Sequence, residues 1–225
     1  MIMIKTKTIF IIKQSILATI MISVFISCKE NSGKSKKEVV IEKPIKNEKL
    51  SVESDSIIFK KSLSQQNIGF DISTTGQGSI QQLTIQPSGL EIDNRKITIE
   101  VLGNVTNAEI GDLNSDGFPE ILIYTTSAGS GSYGDIIGYS VNNGKSISPI
   151  HFPPVDENKK ISTGYQGHDE FAIVKNLLVQ RFQVYNENDV NSKPTGNMRE
   201  IHYKLKNGEA TKEFVVEKVM EYPLK

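Results

Sequence analysis

Residues 120–142 read EILIYTTSAGSGSYGDIIGYSVN. The fold turns on whether the glycines at the centre, Gly129, Gly131 and Gly134, open a nucleotide site or join two strands. Their G-x-G-x-x-G spacing matches a loop that cradles a dinucleotide pyrophosphate, but such a loop needs a strand before it and a helix after it, because the helix N-terminus holds the phosphate. Here EILIYTT precedes the glycines and DIIGYSVN follows them. Both are rich in β-branched and aromatic residues, with no helical period and no helix start signal. The stretch is therefore strand, exposed loop and strand, and nucleotide binding is excluded.

The same punctuation continues outward. RKITIEV places Ile97, Ile99 and Val101 on one face with Thr98 and Glu100 on the other, and IHYKL does the same with Ile201, Tyr203 and Leu205. EILIY and NLLVQRFQVY are apolar on nearly both sides, as central strands are. Asn142-Asn143-Gly144 and Asn207-Gly208 are hairpin-turn signals. No window carries a clear helical stripe, and one short helix is expected near VDENKK after Pro153-Pro154. These features predict an all-β domain, mainly an antiparallel β-sandwich or flattened barrel, with at most one or two short helices.

With 225 residues and 37% hydrophobic content, the chain can bury one sizeable core. Basic and acidic residues number 26 each, which gives no footprint for nucleic acid. A single Cys rules out an intramolecular disulfide and any Cys-based zinc site. Its context supplies another role. Residues 1–27 hold Lys5, Lys7 and Lys13, no acid, and the apolar run ILATIMISVFIS that ends at Cys28. The arrangement resembles a bacterial lipoprotein signal, which makes Cys28 the lipidated first residue of the mature chain and the membrane its anchor. Residues 28–56 mix charges with little periodic apolar content and are expected to form a disordered tether. The folded domain is then 57–225. Without the three signal lysines, 23 basic residues stand against 26 acidic ones.

Three segments carry candidate chemistry. GDLNSDGFPEILIY sets Asp112, Asn114, Asp116 and Glu120 at alternate positions with the Phe118 carbonyl between them, a pattern that can aim several oxygens at calcium. Ile123 stands where an EF-hand needs its bidentate Glu. Calcium and an Asx-rich turn that bonds its own backbone both remain open. GYQGHDEF carries His168, Asp169 and Glu170, which reads either as a hydrolase set with Ser130 or as a turn whose polar groups brace neighbouring loops. The second is favoured, because Ala128 and Ser132 occupy the glycine positions of a nucleophile elbow. The glycine loop itself presents Ser130, Ser132 and Tyr133; the residues alone read either as a flexible loop whose Tyr133 folds back onto the sheet, which is favoured, or as a binding loop, tyrosine being a favoured anchor.

In combination, SAGSGSYGD, DLNSDGFPEILIY, YSVNNGKS, GYQGHDEF, LVQRFQVY and KPTGNMREIHYKL resemble the bacterial periplasmic inhibitors of invertebrate-type lysozyme, from about residue 90 to residue 205. The resemblance implies an all-β fold, no enzymatic activity and no required cofactor. It implies a loop, here Ser130, Gly131, Ser132, Tyr133 and Gly134, that enters the lysozyme cleft and engages the catalytic carboxylates. It places the protein in the periplasm or at the surface of a Gram-negative bacterium, with a homodimer as an allowed assembly. The lipoprotein signal departs from the periplasmic members and is shared by a related membrane-bound family directed at chicken-type lysozyme. A calcium-dependent surface module for adhesion or glycan binding is the alternative.

Overall fold

The computed structural model describes residues 56–224. The expected signal segment, Cys28 and the tether up to residue 55 lie outside the described residues. Among those described, twelve strands dominate, and the helical content is one 3-10 turn, Val155–Glu157, and one short helix, α1, Lys159–Ser162. The expected all-β class holds, and both helical turns fall in the segment that follows Pro153-Pro154.

The first four strands, β1 (Phe59–Gln65), β2 (Ile68–Gln77), β3 (Ile80–Ser88) and β4 (Ile97–Leu102), form an antiparallel meander in chain order. The other eight are β5 (Asn104–Gly111), β6 (Glu120–Thr126), β7 (Gly134–Asn142), β8 (Ser146–His151), β9 (Glu170–Val174), β10 (Leu177–Gln183), β11 (Met198–Asn207) and β12 (Lys212–Tyr222). They form one sheet in the order β5-β6-β7-β8-β12-β11-β10-β9. Its pairings are antiparallel except β8 with β12, which run parallel and meet at Ile150–Lys212 and His151–Glu213. This sheet curls until its two edges approach. The Glu109 carboxylate on β5 accepts from the Ile173 N–H on β9 at 2.8 Å and from the Tyr124 hydroxyl at 2.5 Å. A side chain thus bridges the seam of a nearly closed barrel.

Two cores follow from this layout. Leu122, Tyr124, Leu178, Phe182, Tyr203 and Phe214 fill the inside of the curled sheet. Ile121, Ile123 and Val141 point the other way and pack on Phe70, Leu83 and Ile85 of the small sheet. Strand β6 lies between the two, so all of Glu120–Thr125 is buried, and this is why EILIY is apolar on both faces. Each such aliphatic side chain contributes about 2 kcal/mol on burial. The alternating strands also fall as expected: Val101 is buried beside exposed Glu100 and Leu102, and Ile201, Tyr203 and Leu205 are all buried.

Turn chemistry fixes the hairpins. Asn143 and Gly144 have φ of 50° and 72°, the left-handed pair that a two-residue turn requires, and the Lys145 N–H closes it on the Asn142 carbonyl at 3.0 Å. At Asn207-Gly208 the chain makes a longer connection, closed by Gly208 N–H on Thr211 O at 2.9 Å. Buried Arg199 on β11 ties down the segment after β8. Its guanidinium donates to the Ile161 and Thr163 carbonyls at 2.6 and 2.7 Å, bonds Glu221 at 2.5 Å, and lies over the Phe182 ring. That segment leads directly to Tyr165–Asp169, the wall of the site.

Candidate functional site

The connection between β6 and β7 runs from Ser127 to Tyr133. Its base closes twice, by Ser127 N–H on the Tyr133 carbonyl at 2.8 Å and by Tyr133 N–H on Ser127 Oγ at 3.0 Å. At the tip the Ser132 N–H reaches the Gly129 carbonyl at 3.1 Å, which leaves Ser130 and Gly131 at the corners of a turn. Ser132 has a φ of 43°, in the left-handed region that a residue with a side chain seldom adopts. Such a conformation persists where its surroundings over-determine it.

The surroundings do so here. The His168 N–H donates to both the Gly131 and Ser132 carbonyls, at 3.0 and 3.2 Å, and Asn191 Nδ2 donates to the Ser130 carbonyl at 2.9 Å. Gly134 N–H donates to Asp169 Oδ2 at 2.7 Å. The glycines have steric reasons. A Cβ on Gly131 would stand 2.4 Å from the Tyr133 ring, and one on Gly134 would stand 2.6 Å from both Asp169 and Phe171. Opposite the loop, Gly167 has a φ of 84°, and a Cβ there would lie 2.0 Å from the Gly131 carbonyl oxygen. Gly129 meets nothing within 4 Å, so its part in the G-x-G-x-x-G spacing has no steric role.

Against this pinned backbone the side chains at the tip stand free. Ser130 is exposed, Tyr133 is 48% exposed, and neither hydroxyl has a hydrogen-bond partner among the described residues. The Tyr133 ring lies over Gly131 and meets Tyr165 edge-on, with centroids 5.6 Å apart. Ser132 is partly covered and turns its Oγ toward the Gly129 carbonyl. Beside the loop runs a groove of about 850 Å³, lined by Phe152, Tyr165 and Tyr133 among its aromatic residues and by Glu100, Asp135 and Asp156 among its acidic ones.

The GYQGHDEF segment braces, as expected. Asp169 Oδ2 accepts from the Tyr165 hydroxyl at 2.7 Å as well as from Gly134, and Oδ1 accepts from Gln180 Nε2 at 2.6 Å. Gln180 in turn accepts from the buried Tyr203 hydroxyl at 2.7 Å. Burial pushes the Asp169 carboxyl above its ordinary value, against the pull of these hydrogen bonds, and also pushes the Tyr165 and Tyr203 phenols up. None of the Asp169 bonds goes to His168, whose ring lies beside Tyr185. His168, Asp169 and Ser130 are thus neighbours without a hydrogen-bonded relay.

At the other end of β6, the side chains of Asp112, Asn114, Asp116 and Glu120 are engaged within their own turn. Asp112 accepts from the N–H groups of Asp116 and Gly117, Asn114 from that of Asp116, and Asp116 from that of Phe118, all between 2.9 and 3.1 Å. Buried Glu120 accepts from Leu113 N–H at 2.8 Å and Ser140 Oγ at 2.7 Å. The Lys212 ammonium stands among them, 2.9 Å from Asp116, 3.5 Å from Glu120 and 2.8 Å from Ser140 Oγ. Burial raises the Glu120 carboxyl above its usual range; for Asp116 burial also acts upward, but bonds from Lys212, Phe118 and Asn114 prevail and the net shift is down. A divalent ion at this point would have to displace the ammonium. Among the described residues no group of three or more His, Cys, Asp or Glu is arranged to hold a metal.

Sequence reasoning located the loop and missed most of what holds it. Asn191 and Lys212 are remote in sequence from the groups they bond and belong to no motif, and Gln180, within LVQRFQVY, carried no signal that it would bond Asp169. Comparison with family models, with curated proteins and with solved structures finds no match to this chain.

Proposed function

We propose that this protein is an inhibitor of invertebrate-type lysozyme, held at the membrane through a lipidated Cys28, and that it acts by inserting Ser130–Gly134 into the active-site cleft. One observation carries the reading: the loop backbone is pinned at residues 130, 131, 132 and 134, while the Ser130 and Tyr133 hydroxyls are exposed and uncommitted. Lysozyme sets two carboxyl groups in a cleft shaped for an extended polysaccharide. A hydroxyl can donate to the ionised one or accept from the protonated one. A narrow glycine turn enters such a cleft where a bulkier one would clash, and pinning it beforehand removes ordering entropy from the cost of binding. The inhibitor performs no chemistry of its own. The calcium-dependent module finds less support, since Lys212 stands within the oxygens that would take the ion.

The test is inhibition of purified lysozymes of the three animal classes by the chain lacking residues 1–28. Inhibition of the invertebrate type, relieved by a saccharide that fills the cleft, supports the proposal. Absence of inhibition of every class defeats it.

A further inference from the structure

We propose that Asp169 is the positioning residue of the Ser127–Gly134 loop, and that its carboxylate sets the conformation in which Ser130 and Tyr133 meet their partner. The inference rests on the inhibitory reading of that loop and adds a residue that makes no contact with the target. Three donors from three separate elements converge on this one side chain. Oδ2 takes the Gly134 N–H, where β7 begins, and the hydroxyl of Tyr165, whose ring supports the edge of Tyr133. Oδ1 takes Gln180 on β10, which is fixed in turn by Tyr203 inside the barrel. A line of hydrogen bonds therefore runs from the barrel core to the C-terminal end of the exposed tip at Gly134, and through Tyr165 to the ring that meets Tyr133.

The arrangement is particular to a carboxylate and to the residues around it. A carboxylate accepts at both oxygens and donates at neither, which suits three converging donors. An amide of the same shape turns an N–H₂ toward one of those donors and leaves a polar contact unmet in a part-buried place. Gly134 is the counterpart, because a Cβ there would stand 2.6 Å from the Asp169 Cβ and would push the strand off its acceptor. The groups that face the carboxylate are the Gly134 N–H, the Tyr165 phenol and the Gln180 amide, and among the described residues it forms no salt bridge.

Two variants of the full-length protein separate positioning from a general contribution to stability. Asp169→Asn places the mismatch just described. Asp169→Asn combined with Gln180→Glu reverses it: the new asparagine's oxygen still accepts from Gly134 and Tyr165, its N–H₂ donates to the new carboxylate, and the other oxygen of that carboxylate accepts from Tyr203. Every hydrogen bond is kept, one of them reversed, and net charge is unchanged. The readouts are inhibition of a lysozyme that the wild type inhibits and hydrogen exchange at the Gly134 amide, with the Tyr203 amide as the core reference.

The single variant should weaken inhibition about tenfold and speed Gly134 exchange by a similar factor, with the core amide little changed, and the double variant should return both to within about threefold of wild type. A single variant that inhibits like wild type overturns the proposal, as does a folded double variant that fails to recover. If the single variant does not fold, the folded double variant decides alone, by inhibiting like wild type or not. Should the wild type inhibit no lysozyme, the inhibitory reading fails by itself. Gly134 exchange then decides the positioning: faster in the single and restored in the double supports it, and unchanged exchange overturns it.

Discussion

At the N-terminal end of β6, Asp112, Asn114, Asp116 and Glu120 turn their oxygens inward onto backbone N–H groups, Ser140 and the Lys212 ammonium. At its C-terminal end, Ser130 and Tyr133 hold their hydroxyls out, and the hydrogen bonding is done by the backbone around them and by Asp169, His168 and Asn191 from outside. Seven residues of one strand separate two loops that are both rich in polar residues. The first has used its side chains to build itself. The second is held largely by its neighbours, with Ser127 closing its base, which leaves the side chains of Ser130 and Tyr133 available. Residue content alone does not distinguish an architectural loop from a binding loop; where each polar atom finds its partner does.

The largest effect should come from breaking the self-built loop. Glu120→Ala removes a buried acceptor from Leu113 and Ser140 and leaves Lys212 with one carboxylate fewer, so it should cost about 3 kcal/mol or more in urea denaturation. Its effect on inhibition per folded molecule should be small. A loss below about 1 kcal/mol would mean that this cluster is not what holds the loop. Next, Gly167→Ala forces a side chain into left-handed backbone and against the Gly131 carbonyl, at a cost of about 2 kcal/mol in stability and a roughly tenfold loss of inhibition. Full inhibition in that variant would show that the wall does not shape the tip. The smallest effect concerns calcium. Melting curves in excess calcium and in chelator should coincide within about 1 °C, whereas an ion at a hundred times its dissociation constant would add about 2.7 kcal/mol. A rise of several degrees would show the ion displacing Lys212.

Much of this could be read from the residues. Period-two alternation placed Ile97–Val101 and Ile201–Leu205, and continuous apolarity marked β6 as central, because side-chain period and burial are local consequences of strand geometry. Asn143-Gly144 announced its turn through backbone preference. The Gln66-Asn67 turn, with φ of 53° and 65°, carries no such signature and is set by the pairing of β1 with β2. The parallel contact of β8 with β12 and the Glu109 seam belong to closure, which depends on residues more than sixty positions apart. The same limit applied to the two loops. Their side chains were visible in the sequence, but Lys212, Asp169 and Asn191 became their partners only through the fold.

The central claim is that the tip of the second loop, and no chemistry elsewhere, stops the lysozyme. The most direct measurement is the inhibition constant of Tyr133→Ala and of Ser130→Ala against invertebrate-type lysozyme, with urea denaturation run on the same preparations. An anchor in a desolvated cleft typically loses about 2 kcal/mol on truncation, so each variant should inhibit about thirtyfold more weakly while keeping its stability within about 0.5 kcal/mol. Two folded variants that inhibit as tightly as the wild type would contradict the assignment of this loop as the plug.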